Sequence, residues 1–314
     1  MKIASENLTE IHKGPIAPFH PQKALIGVRM DDYDTNVLKY LGYFASVIPM
    51  DTARFVHVIP YIYLFDKHDG SESKDFEKYG LDEEVADKLA AVIATQITSK
   101  SKVKVEFEVR DGDPLDELIQ SAEKEKSDLI VIGKSTKRGR HGILAKNFAR
   151  RVKSNALVIP DKARSAMKKI LVPVDFSPNS IEALRAAVAV CKCFNKPPVI
   201  MALNVYELPI FQTYLVRKSL DEMREILMED RQAAFKSFLD NFIPDEDRHL
   251  IKTDIIEQTH PGTGSFIVDY AEGNKYNLIV MGAKGHSKVG LLLMGSVTEK
   301  VLSDIKHTPV LVVK

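Results

Sequence analysis

Apolar residues along this chain gather in short unbroken runs: KALIGV (23–28), RFVHVIP (54–60), DLIVIG (128–133), NALVIP (155–160), KKILVPV (168–174), PPVIMALNV (197–205), YNLIVMG (276–282) and PVLVVK (309–314). Such runs, bounded by Gly, Pro or Asp, predict strands buried on both faces. Between them the spacing turns helical. In SPNSIEALRAAVAVCKCF (177–194), Ile181, Leu184, Val188 and Cys191 recur every three or four residues, behind a capping Ser177 and a first-turn Pro178. HLIKTDIIEQ (249–258) predicts a further strand, and GTGSFIVDYAEGN (262–274) a helix stopped by Gly273. Continuous apolar strands alternating with helices predict an α/β fold: a doubly wound parallel sheet with helices on both faces. Such a sheet binds ligands beyond the carboxyl ends of its strands.

The pattern occurs twice. EVRDGDPLDELIQSAEKEKSDLIVIG (108–133) aligns without a gap with EQTHPGTGSFIVDYAEGNKYNLIVMG (257–282), matching at Glu108/Glu257, Ala122/Ala271, Glu123/Glu272, Lys126/Lys275 and the LIV-x-G strand end. Upstream KALIGVRMDD (23–32) pairs with KKILVPVDFS (168–177), and downstream NALVIP pairs with PVLVVK. The expected organisation is a polar arm (1–22), a first five-stranded domain (23–162) and a second (167–314). The charged stretches 65–84 and 242–250 read as surface loops and helix ends, and His249, Asp245 and Asp247 as solvated rather than metal-binding.

Composition narrows the setting. The 314 residues carry a formal net charge of +1, which gives no signal for nucleic acid or membrane. No apolar run nears the roughly 18–20 residues that span a bilayer, and the first residues lack the apolar core of a secretory signal. The two cysteines, Cys191 and Cys193, stand two apart on a predicted helix and so point apart, which disfavours a mutual disulfide. A reducing, cytoplasmic location follows as the expectation.

Candidate chemistry lies where strands end. DLIVIGKSTKRGR (128–140) suggests a phosphate-binding P-loop, but that motif needs a glycine five residues before its Gly-Lys and a flexible loop between. Asp128 and strand residues stand there instead. In the second copy, MGAKGHSKVGLLLMGSVTEKVL (281–302) places Gly282 at a strand end, Gly285 after two intervening residues, and Gly295-Ser296 after nine more, opening a helix. Glycines admit close backbone approach. The free N–H groups of Gly295, Ser296 and Val297, with the helix dipole, favour anions. With Lys284, Lys288 and Gly290 nearby, this is a cradle for a polyphosphate, although Gly295-Ser296 alone is also an ordinary helix start.

Gly-x₂-Gly-x₉-Gly-Ser behind LIVMG resembles the ATP-binding signature of the universal stress protein family. KKILVPVDFSPNSIEAL resembles the family's opening strand and helix, and PVLVVK its closing strand. The resemblance spans residues 23–314 and implies a tandem member. It implies ATP as ligand, with any Mg²⁺ held by phosphate oxygens and water. Asp175 would contact the ribose, Val205 and Met281 would line the adenine pocket, Gly282 and Gly285 would approach ribose and phosphates, and Gly295, Ser296 and Val297 would donate to phosphate. Read without the resemblance, Asp175 is equally a helix-capping carboxylate, and Val205 and Met281 are core. His286 and Lys288 would meet phosphate or lie exposed.

In the first copy the same loop reads IGKSTKRGRHGILAKNFARRV (132–152). A gapless alignment matches Gly133 with Gly282 but puts Thr136, Lys146 and Asn147 where Gly285, Gly295 and Ser296 stand. Val58 matches Val205, and Asp31 or Asp32 matches Asp175 in an unfixed register. The first copy is therefore expected not to bind ATP, and its basic loop reads as a solvated face. The expected function is a nucleotide-dependent stress-response switch, ATP-bound in the second copy and acting on a protein partner. No water-activating carboxylate is evident, so at most weak ATP hydrolysis is expected. A slow ATPase, or a sensor of a metabolite or lipid between the copies, stands as the alternative. The resemblance also implies an intrachain pseudo-dimer through the last strands, and a homodimer of chains.

Overall fold

The computed structural model describes residues 13–29, 34–59, 64–65, 72–73, 87, 90–91, 93, 103–136, 141–208, 219–259, 262–285 and 294–314. They form two compact units: His20–Ser165, and Ala166–Lys314 together with the start of the chain through Phe19.

The first unit holds β1 (Lys23–Val28), α1 (Asp34–Val47), β2 (Thr52–Ile59), a short antiparallel pair β3 (Leu64–Phe65) and β4 (Glu72–Ser73), β5 (Lys104–Asp111), α2 (Pro114–Glu125), β6 (Leu129–Lys134), α3 (His141–Arg151) and β7 (Asn155–Pro160). Its parallel sheet runs β7-β6-β1-β2-β5. The second unit holds β8 (Lys169–Pro173), α4 (Pro178–Cys191), β9 (Val199–Tyr206), α5 (Leu220–Phe242), a 3₁₀ turn (Asp245–Leu250), β10 (Ile251–Glu257), α6 (Thr263–Gly273), β11 (Leu278–Gly282), α7 (Ser296–Asp304) and β12 (Val310–Val313). Its sheet, again parallel, runs β10-β9-β8-β11-β12. Each unit is a doubly wound five-stranded α/β domain with its first strand central. The winding reverses beside that strand, and the reversal opens a crevice at the carboxyl ends.

The apolar runs form the cores. Leu25, Ile26, Leu129 and Val131 are fully buried in the first unit, as are Ile170, Leu171, Leu278 and Val280 in the second. Helix α4 forms as its spacing requires: Ser177 caps it, Pro178 sits in its first turn, and Ile181, Leu184, Val188 and Cys191 are all fully buried.

Symmetry between the units reaches single contacts. Asp128 accepts from the amides of Gln22 and Lys23, and Asn277 from those of Lys168 and Lys169. Asn204 Nδ2 donates to Val174 O at 2.7 Å, while His57 Nδ1 lies 3.0 Å from Val28 O. Lys126 and Lys275 both take left-handed backbone, φ 53° and 58°. The second of these corrects the expected glycine stop: Gly273 is the last helical residue, and the chain turns at Lys275, whose amide donates to Glu272 O.

The stretch before the first repeat is not a free arm over residues 13–19. Ile16 is buried, Phe19 N donates to Ala189 O at 2.9 Å, and Lys13 pairs with Asp245 at 2.8 Å. Arg185 and Lys192 of the α4 region donate to the carbonyls of Gly14 and Ile16. The 242–250 stretch is likewise more ordered than a surface loop. Asp247 is buried against Lys192 at 2.8 Å, and His249 Nδ1 lies 2.6 Å from Glu246 O. Asp31, Asp32, His286, Lys288, Gly290 and most of 65–84 lie outside the described residues.

Candidate functional site

At the carboxyl ends of β8, β9 and β11 the second unit contains a cavity of about 260 Å³. Asp175, Val205 and Met281 line it, together with Gly282 and Gly285 from the strand end and Gly295, Ser296 and Val297 from the start of α7. The fold thus brings all eight sequence-selected residues to one cavity. Leu203, Ile267 and Met281 give it an apolar side, and Lys284 lies on its wall. Partial desolvation and the Lys284 charge push the Lys314 amine down to about 8.

Each glycine has a distinct environment. A Cβ on Gly282 would lie 2.6 Å from Asn179 Cβ and 2.8 Å from Asn179 O, so strand β11 meets α4 too closely for any side chain. A Cβ on Gly285 would lie 2.5 Å from Asp175 Oδ2. At Gly295 the nearest atom to such a Cβ, other than its chain neighbours, is 3.6 Å away, and φ is −76°. Neither packing nor backbone conformation requires glycine there. A Cβ there would rest against the Ala283 carbonyl and the Lys284–Gly285 backbone, at the edge of the cavity that Gly295 lines. Among the described residues no side chain caps α7; Gly295 N donates to Ala283 O, and Thr298 Oγ1 donates to Gly282 O. The backbone at the start of α7 therefore lines the cavity as a potential set of anion donors.

Asp175 is held from the other side. Its Oδ1 accepts from Ser177 N at 3.1 Å and from Ser177 Oγ at 2.5 Å. Ser177, not Asp175, caps the helix; the carboxylate holds that capping residue and also lines the cavity. Phe176, between them, has φ +61°, a left-handed conformation that costs a non-glycine residue about 1–2 kcal/mol.

Sequence reading missed Thr263. It lines the cavity, and its hydroxyl donates to Gln258 Oε1 while Gln258 Nε2 donates to Glu207. These residues follow β9 and β10, so the signal available was their place at strand ends.

The first unit differs at the equivalent place. Thr136, matching Gly285, donates from both N and Oγ1 to the Asp161 carboxylate, at 3.1 and 2.8 Å. Strand register puts Arg29 where Asp175 stands, since Ala24 pairs with Leu129 as Ile170 pairs with Leu278. The following connection is longer: Val37 would meet a Cβ on Gly133 as Asn179 would meet one on Gly282. Helix register overturns the match of Lys146 and Asn147 with Gly295 and Ser296. Val152 N bonds Phe148 O as Ile305 N bonds Val301 O, and buried Ala145, Phe148 and Ala149 correspond to buried Thr298, Val301 and Leu302. Gly142 and Ile143 therefore stand at the places of Gly295 and Ser296, and the first loop is shorter by one helical turn's worth of residues.

Known proteins agree with this architecture. The sequence profile of the universal stress protein family matches residues 21–158 and again 167–314. Universal stress protein MJ0531 of Methanocaldococcus jannaschii is 34% identical over 147 residues, 47% of this chain and 82% of that protein. Universal stress protein MJ0577 of the same organism is 32% identical over 157 residues, 47% of this chain and 94% of its own length. A universal stress protein structure from Archaeoglobus fulgidus superposes with TM-score 0.60 at 21% identity, covering 93% of this chain and 96% of that one, a likeness of fold. The chain belongs to the universal stress protein family, as a tandem member with one family domain in each half.

Proposed function

We propose that the second repeat binds ATP and that the chain works as a nucleotide-dependent stress-response switch, with the first repeat empty of nucleotide. The observation that carries this reading is Gly295, a cavity-lining glycine that neither packing nor backbone conformation requires, before a helix start that no described side chain caps. The triphosphate takes that cradle, with Ser296 Oγ and the first amides of α7 as donors, and Lys284 supplies charge. The ribose hydroxyls donate to Asp175, and the base lies against Leu203, Val205, Ile267 and Met281. Bound Mg²⁺ would sit on phosphate oxygens and water, screening their charge. In the first repeat, Thr136 bonded to Asp161 and the shortened loop take away two parts of that cradle.

The residues bind and orient rather than turn over. Asp175 Oδ1 is engaged with Ser177, which suits it to hold the ribose, and weak hydrolysis would follow from phosphate positioning alone. ATP binding then alters the surface that a protein partner reads. Calorimetric titration with Mg-ATP tests this. Ser296→Ala is expected to weaken binding about tenfold or more, the worth of one hydrogen bond to a charged group. An unchanged affinity would remove α7 from the phosphate site.

A further inference from the structure

Helix α5 runs for 23 residues, yet only Phe235 and Phe238 of it are buried. Both rings meet the same partner edge-on: Phe176, at centroid distances of 5.0 and 5.7 Å, each with planes at 76°. This geometry is the favourable one for aromatic pairs. Phe176 is the residue between Asp175, on the cavity, and Ser177, the cap of α4. Its φ of +61° is a conformation a bulky residue adopts only when its surroundings impose it. Two constraints do so here. The ring is seated on α5, and the two hydrogen bonds from Ser177 to Asp175 close the turn on its other side. The turn so fixed sends Asp175 Oδ2 to the place where a Cβ on Gly285 would clash at 2.5 Å.

Other described contacts of α5 include Arg248 on the Asp240 carboxylate at 2.5 Å. Arg224 pairs with Glu257 on the exposed side, the Arg231 guanidinium lies 4.9 Å over the Tyr206 ring, and Arg185 donates to Phe242 O. The Phe235–Phe238 slot is the one that reaches the Asp175 turn.

We infer that Phe176 is a positioning residue that links the seating of α5 to the direction of Asp175, so that nucleotide binding and α5 packing reinforce each other. This rests on the nucleotide reading of the cavity. Linkage makes the effect reciprocal: whatever factor α5 seating adds to nucleotide affinity, bound nucleotide returns to α5 seating. A long, mostly exposed helix then carries the state of the cavity to the surface.

The test combines Mg-ATP affinity with hydrogen exchange of α5 in the full chain. Wild-type protein is expected to show slower exchange around 231–242 on adding saturating Mg-ATP. Phe176→Gly keeps a residue content with left-handed backbone and removes the ring. It is expected to abolish that protection and weaken Mg-ATP binding about tenfold, within the usual range of coupling between sites. Phe238→Ala, which leaves every cavity residue in place, is expected to weaken binding in the same direction. If wild type binds Mg-ATP while α5 exchange stays unchanged, the coupling is wrong and the nucleotide reading stands. The same holds if Phe238→Ala lowers only the thermal midpoint and leaves affinity intact, since that is what a purely structural contact would do. If wild type binds no Mg-ATP, the nucleotide reading falls and takes the coupling with it.

Discussion

A methyl group added at Gly282 would press on the side chain and backbone of Asn179, whereas one added at Gly295 would meet ordinary van der Waals distances. The two glycines of one motif therefore answer to different demands, and substitution should separate them. Gly282→Ala is expected to destabilise the second unit by about 1–3 kcal/mol, the usual range for overpacking, measured as a lower urea midpoint. Gly295→Asn should leave the midpoint unchanged or raise it, because Asn is among the strongest helix caps, while filling the cradle and abolishing Mg-ATP binding. Gly285→Ala lies between: the clash is with the end of the Asp175 side chain, which can swing, so affinity is expected to fall with little change in stability. Spacing along the sequence was enough to find these glycines. It could not find the backbone of Phe176, whose left-handed turn depends on rings some sixty residues further along the chain.

At the scale of elements, strands and the α4 helix follow directly from apolar runs and from Ser177-Pro178. Loops do not. The gapless match of the two repeats holds from Glu108 to Gly133, then fails in the next loop because its length differs, so Lys146 took the place that belongs to Gly142. Side-chain bonding between β2 and the edge strand β5 was also invisible in the sequence. Arg54 on β2 bridges Glu106 and Glu108 on β5, and Arg110 bridges Glu108 and Glu117. Burial raises the Glu108 carboxyl, but hydrogen bonds from Arg110 and Ser121 and the charges of Arg110 and Arg54 outweigh it, leaving it below the usual carboxylate value. A depressed folded-state pKa means stability that is fully present above about pH 4.5 and lost as pH falls through the lowered value. The urea midpoint of the first unit is thus expected to drop below that pH, and Glu108→Gln to flatten the drop. An equal slope in wild type and variant would assign the acid sensitivity elsewhere.

At the scale of the whole molecule, one sheet design occurs twice, and its two strand-end loops differ in length and in the residue at the place of Gly285. Residues 13–19 belong with the second unit although they precede the first, which no periodicity in so short a stretch could signal. Ligand stabilisation follows the same division. Mg-ATP at about a hundred times its Kd should add about 2.7 kcal/mol to whichever unit binds it, so hydrogen exchange should slow in core peptides of 166–314 and not in those of 20–165. The most direct test is stoichiometric: titrate the full chain with Mg-ATP and count sites, in wild type and in Gly295→Asn. About one site per chain is expected, lost in the variant. Two sites, or one that survives Gly295→Asn, would contradict it.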